Sequence, residues 1–189
     1  DPVVATPNYP RPERYGARTG DSSTVWTASP NYSSRSGAAV DYIVIHTCEG
    51  SYSGCWGWLT NSSSGVSAHY VVNDTGSEVR QLVDEEQKAW HISANYDCNY
   101  NDGLDCSRNG TSMNSISVGI EHAGYASQTS WDAGLMARSA AITCGVATRH
   151  GVPIDENHII GHGQMQPWNR EDPGKSWPWS SYIAAVASA

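Results

Sequence analysis

The sequence predicts a single α/β domain, a central mixed β-sheet flanked by helices. Three observations carry that expectation. Asp41-Tyr42-Ile43-Val44-Ile45 is a β-branched run of the kind that forms a buried central strand. Between Trp131 and His150, residues Leu135, Met136, Ser139, Ile142 and Val146 share one face at helical spacing. Strand and helix patterns mix along 189 residues with no internal repeat, a length that gives one domain a proper core and is short for two.

Taken in order, residues 1–39 are rich in Pro, Ser, Arg and Asn and lack sustained periodicity. They are expected to form an extended arm packed on a domain made by residues 40–189. The first strand ends at His46, and a short helical turn follows around Cys55-Trp56-Gly57-Trp58-Leu59. Ala68-His69-Tyr70-Val71-Val72 reads as a second strand. Asn73-Asp74-Thr75-Gly76 turns it back into a hairpin with the segment from Glu78 to Val83. Trp90-His91 leads into a loop bounded by Cys98 and Cys106. From Ser115 onward, polar and apolar residues alternate until the strand delivers Glu121. Ser130 is placed to cap the long helix, and Gly151-Val152-Pro153 stops it. Ile159-Ile160 ends a short buried strand that Gly161 breaks, so His162 stands at a strand exit, where open α/β sheets place their ligand sites. A polar loop then runs to Asp172-Pro173-Gly174, and a last helix starts at Ser180 or Ser181.

Composition narrows the function classes. Charged residues at 16% and hydrophobic ones at 39% describe a globular chain. No apolar run is long enough to span a bilayer. A net charge of −8 and a pI near 5.2 argue against nucleic acid or an anionic membrane surface as partner. Phe is absent while Trp numbers 8 and Tyr 10, and aromatics with a polar handle suit half-wet grooves and carbohydrate contact. Trp56, Trp58, Trp90 and Trp168 are candidate groove aromatics, with core packing expected of the first two. Among five cysteines, Cys98 and Cys106 bracket a Gly/Asn/Asp-rich loop that burial cannot hold, which predicts a disulfide. Cys48 and Cys55 are placed to close a second small loop. Cys144, on the long helix, is expected to be a buried, unpaired thiol. These cysteines and the low Lys content point to an oxidising, secreted or extracellular setting, which a chain starting at Asp1 fits as a mature form. Asn31, Asn61, Asn73 and Asn109 open Asn-x-Ser/Thr sequons, acceptors only in a eukaryotic secretory pathway.

Three strand ends present chemistry: His46, Glu121 and His162, with Asp172 on the loop beyond. Two His and one Asp make a zinc set that leaves the fourth tetrahedral position for water, and an open position means catalysis rather than structure. Such a metal brings the pKa of its water towards about 7 and polarises a carbonyl. A nearby carboxylate that is not a ligand then takes the water's proton and passes it to a leaving amine, and Glu121 is placed for that. His69, mid-strand, reads as a hydrogen-bonded structural His rather than a fourth ligand. A serine hydrolase is excluded by the lack of a Gly-x-Ser-x-Gly elbow.

Ile43-Val44-Ile45-His46-Thr47, Val66-Ser67-Ala68-His69-Tyr70, Ala89-Trp90-His91, Ser117-Val118-Gly119-Ile120-Glu121 and Gly161-His162 with Asp172-Pro173-Gly174 occur in an order and spacing that resemble the zinc-dependent N-acetylmuramoyl-L-alanine amidases. This is the amidase-2 family, related to peptidoglycan recognition proteins, and the resemblance runs from about residue 40 to the end. It implies one zinc ion per chain held by His46, His162 and Asp172. It implies hydrolysis of the amide between N-acetylmuramic acid and L-alanine of the stem peptide. Glu121 matches the family's catalytic acid. Arg170 stands where relatives carry Lys or His, and being always charged it steadies an oxyanion without donating a proton. Some branches carry a catalytic Tyr where this chain has Ala68, which leaves the proton and charge work to Glu121 and Arg170. The segment holding Trp90 and His91 lines the substrate groove in the resemblance, and Trp90, His91 and His69 are taken as substrate-contacting residues. The Cys48–Cys55 spacing is similar to a small disulfide loop after the first ligand in recognition proteins, which supports pairing there. Peptidoglycan or a muropeptide is the expected partner, and a monomer is expected. The alternative is a non-catalytic peptidoglycan-binding protein of the same fold; such binders typically lose a zinc ligand, often the third, whereas this chain keeps all three and Glu121.

Overall fold

Residues 18–189 are described by a computed structural model. They form β1 (Val25–Trp26), β2 (Tyr32–Ser34), β3 (Tyr42–Thr47), α1 (Tyr52–Leu59), β4 (Tyr70–Val72), β5 (Val79–Gln81) and β6 (Gln87–Ala89). After these come β7 (Ser117–His122), α2 (Ala133–His150), β8 (Ile159–Gly161), α3 (His162–Met165) and α4 (Trp179–Ser188). The main sheet runs β1-β5-β4-β7-β3-β8, and β2 pairs with β6 in a separate ribbon. Strands β4, β7, β3 and β8 are mutually parallel, β5 returns antiparallel to β4 as the hairpin reading requires, and β1 is parallel to β5. The sheet is therefore mixed.

All of β3 is buried, as a central parallel strand must be. Its alternation divides the core. Ile43 and Ile45 pack with Val118, Ile120 and Ile159 against α2 and α4, through Leu135, Ile142, Val146, Tyr182 and Val186. Tyr42 and Val44 face the other way, into a cluster with Ile92, Tyr96, Met113 and Met165. By the same period of two, His46 and Glu121 lie on this second face, away from the long helices.

Helix α2 starts at Ala133 and is capped by Asp132, whose carboxylate accepts from Leu135 N at 3.0 Å; the expected cap, Ser130, lies outside it. Gly151, at φ 70°, ends the helix where expected. The last helix begins one residue before Ser180, at Trp179. Residues 162–165, read from sequence as loop, form a single helical turn.

Of the expected arm, residues 1–17 lie outside the described residues. Residues 18–39 lie along the edge of the sheet: Thr27 N donates to Gln81 O and Ser29 N to Leu82 O. Arg35, buried, donates to the carbonyls of Glu85, Asn114, Ser115 and Ser117. Asn31 is buried too, its amide donating to Asn61 O and Val66 O, so this sequon is closed to glycan. Disulfides join Cys98 to Cys106 and Cys48 to Cys55. Cys144 is unpaired as expected, but half-exposed rather than buried, because it faces the chain's last residue, Ala189, instead of the sheet.

Candidate metal centre and active site

The parallel register brings the chemistry to one edge. His46 on β3 pairs with Glu121 on β7, and Ile45 pairs with Gly161 on β8, one residue before His162. The chain then folds back and returns Asp172 beside His162. Gly163 permits the close approach: a Cβ there would lie 2.8 Å from Arg170 O and 3.0 Å from Glu171 Cα, both backbone atoms that cannot yield. Gly163 N also donates to Asp172 O at 2.9 Å.

His46 Nδ1, His162 Nδ1 and Asp172 Oδ2 converge. The two nitrogens are 3.0 Å apart, and the carboxylate oxygen is 3.3 Å from His46 and 3.2 Å from His162. Ligand bonds of about 2.0–2.1 Å in a tetrahedron place donor atoms about 3.3–3.4 Å apart, so the triangle is that of three corners around one divalent metal. The remaining hydrogen bonds say which lone pairs face inward. Gln166 Oε1 accepts from Ser93 N (2.9 Å), and its Nε2 donates to Asn169 Oδ1 (2.7 Å), which fixes the amide's orientation. His162 Nε2, 2.8 Å from that Oε1, must donate to it, and the Nδ1 of the neutral ring is left bare towards Asp172. Thr47 N donates to Asp172 Oδ2 at 3.3 Å.

Electrostatics fit a cation in the triangle. Burial, then neighbouring His162, lowers the His46 pKa to about 4, so its ring is neutral and available as a ligand. A second close group of donor types, Cys48, Cys55 and Glu121, offers no thiolates, since both cysteines are in a disulfide.

Glu121 stands at the side of this triangle, Oε2 3.9 Å from His46 Nδ1 and its side chain 13% exposed. Its Oε1 is buried with no hydrogen-bond partner, an arrangement that is costly unless a ligand or substrate completes it. Burial, reinforced by Asp172 and Glu49, pushes its carboxyl well above the usual range. Raised carboxyls in clefts are suited to proton transfer.

Centre and carboxylate open into a cleft of about 690 Å³ whose walls include Glu49, Trp58, Val66, Trp90 and Arg170. Trp58 is 55% exposed there, against the expectation of core packing: α1 is short and turns only Leu59 fully inward. Trp56 does pack inside, beneath the Arg80 guanidinium. Trp90 lends its ring to the wall while its Nε1 donates to Ser33 Oγ at 3.0 Å. Trp168, 60% exposed, belongs to a neighbouring hollow with Tyr100. The exposed Arg170 side chain donates to Asn169 O, leaving guanidinium N–H groups for the cleft.

Two sequence expectations need correction or relocation. His69 does not touch the cleft. It is fully buried, with Gly119 N donating to its Nδ1 and Gln87 O 2.9 Å from its Nε2, because Arg35 and β6 cover it on that face of the sheet. His91 borders the cleft floor but is only 8% exposed, and both ring nitrogens are engaged inside: Nδ1 with His46 Nε2 at 2.8 Å, Nε2 with Ser117 Oγ at 3.0 Å. Burial, then His46, holds its pKa well below the ordinary value. Sequence reading passed over Thr47, Gln166, Ser117 and His122. Gln166 stands four residues after His162, a spacing that pairs side chains once a helical turn is known. Ser117 shares a strand face with Glu121 and is recoverable from that alternation. His122 faces the opposite side, its Nδ1 2.9 Å from His46 O and its Nε2 2.6 Å from Ser139 Oγ.

Sheet order, donor triangle and buried carboxylate define the class: an α/β domain with a His–His–Asp donor set and a neighbouring carboxylate at the carboxyl edge of its parallel strands, an arrangement suited to metal-assisted hydrolysis. A family profile, the amidase-2 model described as N-acetylmuramoyl-L-alanine amidase, matches residues 36–175. N-acetylmuramoyl-L-alanine amidase A of Achromobacter lyticus is 32% identical over 182 residues, covering 86% of this chain and 92% of that protein. The 1,6-anhydro-N-acetylmuramyl-L-alanine amidase AmpD of Citrobacter freundii is 31% identical over 121 residues, with 57% of its length spanned. Among solved structures, an AmpD crystal structure aligns with a TM-score of 0.73 at 23% identity, covering 88% of this chain and 96% of that one. The E. coli amidase AmiD in complex with its substrate anhydro-N-acetylmuramic acid-L-Ala-D-γ-Glu-L-Lys aligns at 0.63 and 22% identity, over 84% of this chain and 60% of that one. At those identities the two structures share the fold. The chain belongs to the N-acetylmuramoyl-L-alanine amidase family.

Proposed function

We propose that this protein is a secreted, zinc-dependent amidase that cleaves the bond between the lactyl group of N-acetylmuramic acid and the L-alanine of the stem peptide. One observation carries the reading: His46, His162 and Asp172 at tetrahedral spacing beside a buried, unpartnered Glu121 oxygen. The zinc reading rests on two neutral imidazoles and one hard carboxylate with the fourth position facing the cleft. When bound, zinc supplies Lewis acidity that polarises the amide carbonyl and acidifies a water. Glu121, buried beside the triangle, would take a proton from an attacking water and return it to the departing L-alanine amine, a role its raised carboxyl suits. Arg170, from the cleft wall, stabilises the charge that develops on the carbonyl oxygen. Trp90, and Trp58 with it, holds the muropeptide along the cleft.

Secretion is supported by two disulfides; among the described residues no helix is long and apolar enough to cross a membrane. Residues 40–189 are taken as the catalytic unit; of the residues before it, 18–39 pack on that unit through β1 in the main sheet and through buried Arg35. We expect a monomer acting on peptidoglycan or soluble muropeptides. Elemental analysis of the purified protein should give one zinc per chain, and His46→Ala or Asp172→Ala should lose it while keeping the fold. Full zinc occupancy in either variant would overturn the ligand assignment.

A further inference from the structure

The interactions behind His46 decide which of its nitrogens carries the proton, and hydrogen-bond chemistry gives the direction of each link. Ser117 Oγ lies 2.6 Å from Met113 O, and a carbonyl only accepts, so the single hydroxyl proton of Ser117 goes there. At 3.0 Å from the same hydroxyl oxygen, His91 Nε2 must then be the donor. A neutral His91 has its other nitrogen bare, and that Nδ1, 2.8 Å from His46 Nε2, accepts a proton from it. His46 Nδ1 is left as a lone pair aimed at His162 and Asp172.

We propose that His91 and Ser117 are positioning residues, which lock the His46 imidazole in its Nε2–H form and present its Nδ1 lone pair to the metal. The inference rests on the proposed metal reading of the site. His91 neither ligates nor touches the reacting atoms; it acts through His46.

The surroundings hold the relay in place. Asn114 Oδ1 accepts from the backbone N of both His91 (3.1 Å) and Ile92 (3.0 Å), which fixes where the ring enters. Gly119 gives the ring its room, since a Cβ there would sit 2.5 Å from His91 Cγ. Arg35 donates to Ser117 O at 3.0 Å, so the segment preceding β3 steadies the strand that carries the relay's first hydroxyl. His162 reaches the same protonation pattern independently, through Gln166. Partners of this kind on a ligand's far nitrogen fix its tautomer and typically change metal affinity by about 10–100-fold.

Two measurements test the proposal. Nitrogen-15 spectra of the metal-free wild-type protein report which ring nitrogen of each histidine carries hydrogen, with no variant that might fail to fold. His46, His91 and His162 should all be Nε2–H. A Nδ1–H form of His91 or His46 would overturn the relay even if zinc binds. Chelator competition then gives zinc affinity. His91→Ala should weaken it by about 10–100-fold, while His91→Asn, which keeps an acceptor where Nδ1 was, should recover most of the loss. Equal affinity in wild type and His91→Ala, or equal losses in the Ala and Asn variants, would refute a positioning role. Failure of the wild type to bind zinc would remove the metal reading and the inference with it, whatever the spectra show.

Discussion

At the scale of single residues, chemistry here is decided by where a side chain's second polar atom goes. His46, His91 and His162 are all buried histidines, yet only His46 and His162 turn an unclaimed nitrogen to the cleft. Glu121 is defined the same way, by Oε1 having no partner. Glu121→Gln should therefore keep fold and zinc, since the amide matches the carboxylate in size. Its loss should fall on the chemical step, lowering kcat by about 10²–10⁴-fold. Steady-state kinetics and zinc content on this variant decide the point: near-normal turnover would take Glu121 out of the mechanism, and lost zinc would make it a ligand. His46 and His162 were legible as candidates because each follows a β-branched run, and Asp172 because it stands in the loop just beyond, before Pro173-Gly174. The tautomer network was not, since it joins residues as far apart as 46, 91, 117 and 166 by contacts that only the folded sheet creates. His69 shows the limit: period-two alternation gave its face of the sheet but not that Arg35 and β6 would cover it.

At the scale of elements, long periodic segments were readable and short ones were not. β3, β7 and α2 follow from burial patterns that extend over whole elements. β1 and β2 escaped because two- and three-residue strands with largely exposed side chains carry no apolar alternation; their pairing is a backbone matter. α3 escaped because His162-Gly163-Gln164-Met165 is one turn, too short for any periodicity to register. Its importance lies in Gly163, against which the segment bearing Asp172 folds. Gly163→Ala would drive a methyl group into the backbone of Arg170 and Glu171. We expect a cost of about 1–3 kcal/mol, a fall in Tm of about 2–4 °C for each kcal/mol, and weaker zinc binding because Asp172 shifts. Calorimetry with and without zinc measures both; an unchanged Tm and zinc affinity would show that the loop has room to spare.

At the scale of the whole molecule, the edge of the sheet is tied together by one buried carboxylate. Glu85, fully buried, accepts from the Arg149 guanidinium (3.0 and 2.6 Å) and lies 2.8 Å from His150 Nε2 at the end of α2. It also accepts from Tyr70 OH on β4, while its own carbonyl receives Arg35. Burial alone would raise this carboxyl; hydrogen bonds from His150 and Arg149 prevail and hold it far below its ordinary value of 4.5. A depressed carboxyl contributes stability that is present above the unfolded value and lost as pH falls towards the folded one. Glu85→Gln should cost about 3 kcal/mol near neutrality, the low end for a broken buried pair because Arg149 is partly exposed. Denaturant titrations should show that gap constant between about pH 6 and 8 and narrowing below about pH 4.5. A pH-independent gap would remove the ion pair as its cause. Mass spectrometry of a muropeptide digest shows whether this fold places a zinc-dependent amidase centre at the edge of its sheet. Two products are expected, an intact N-acetylmuramic acid lactyl saccharide and a stem peptide with a free L-alanine amine, both abolished by chelation and restored by zinc. Cleavage at any other bond, or digestion that proceeds unchanged after the metal is removed, would contradict it.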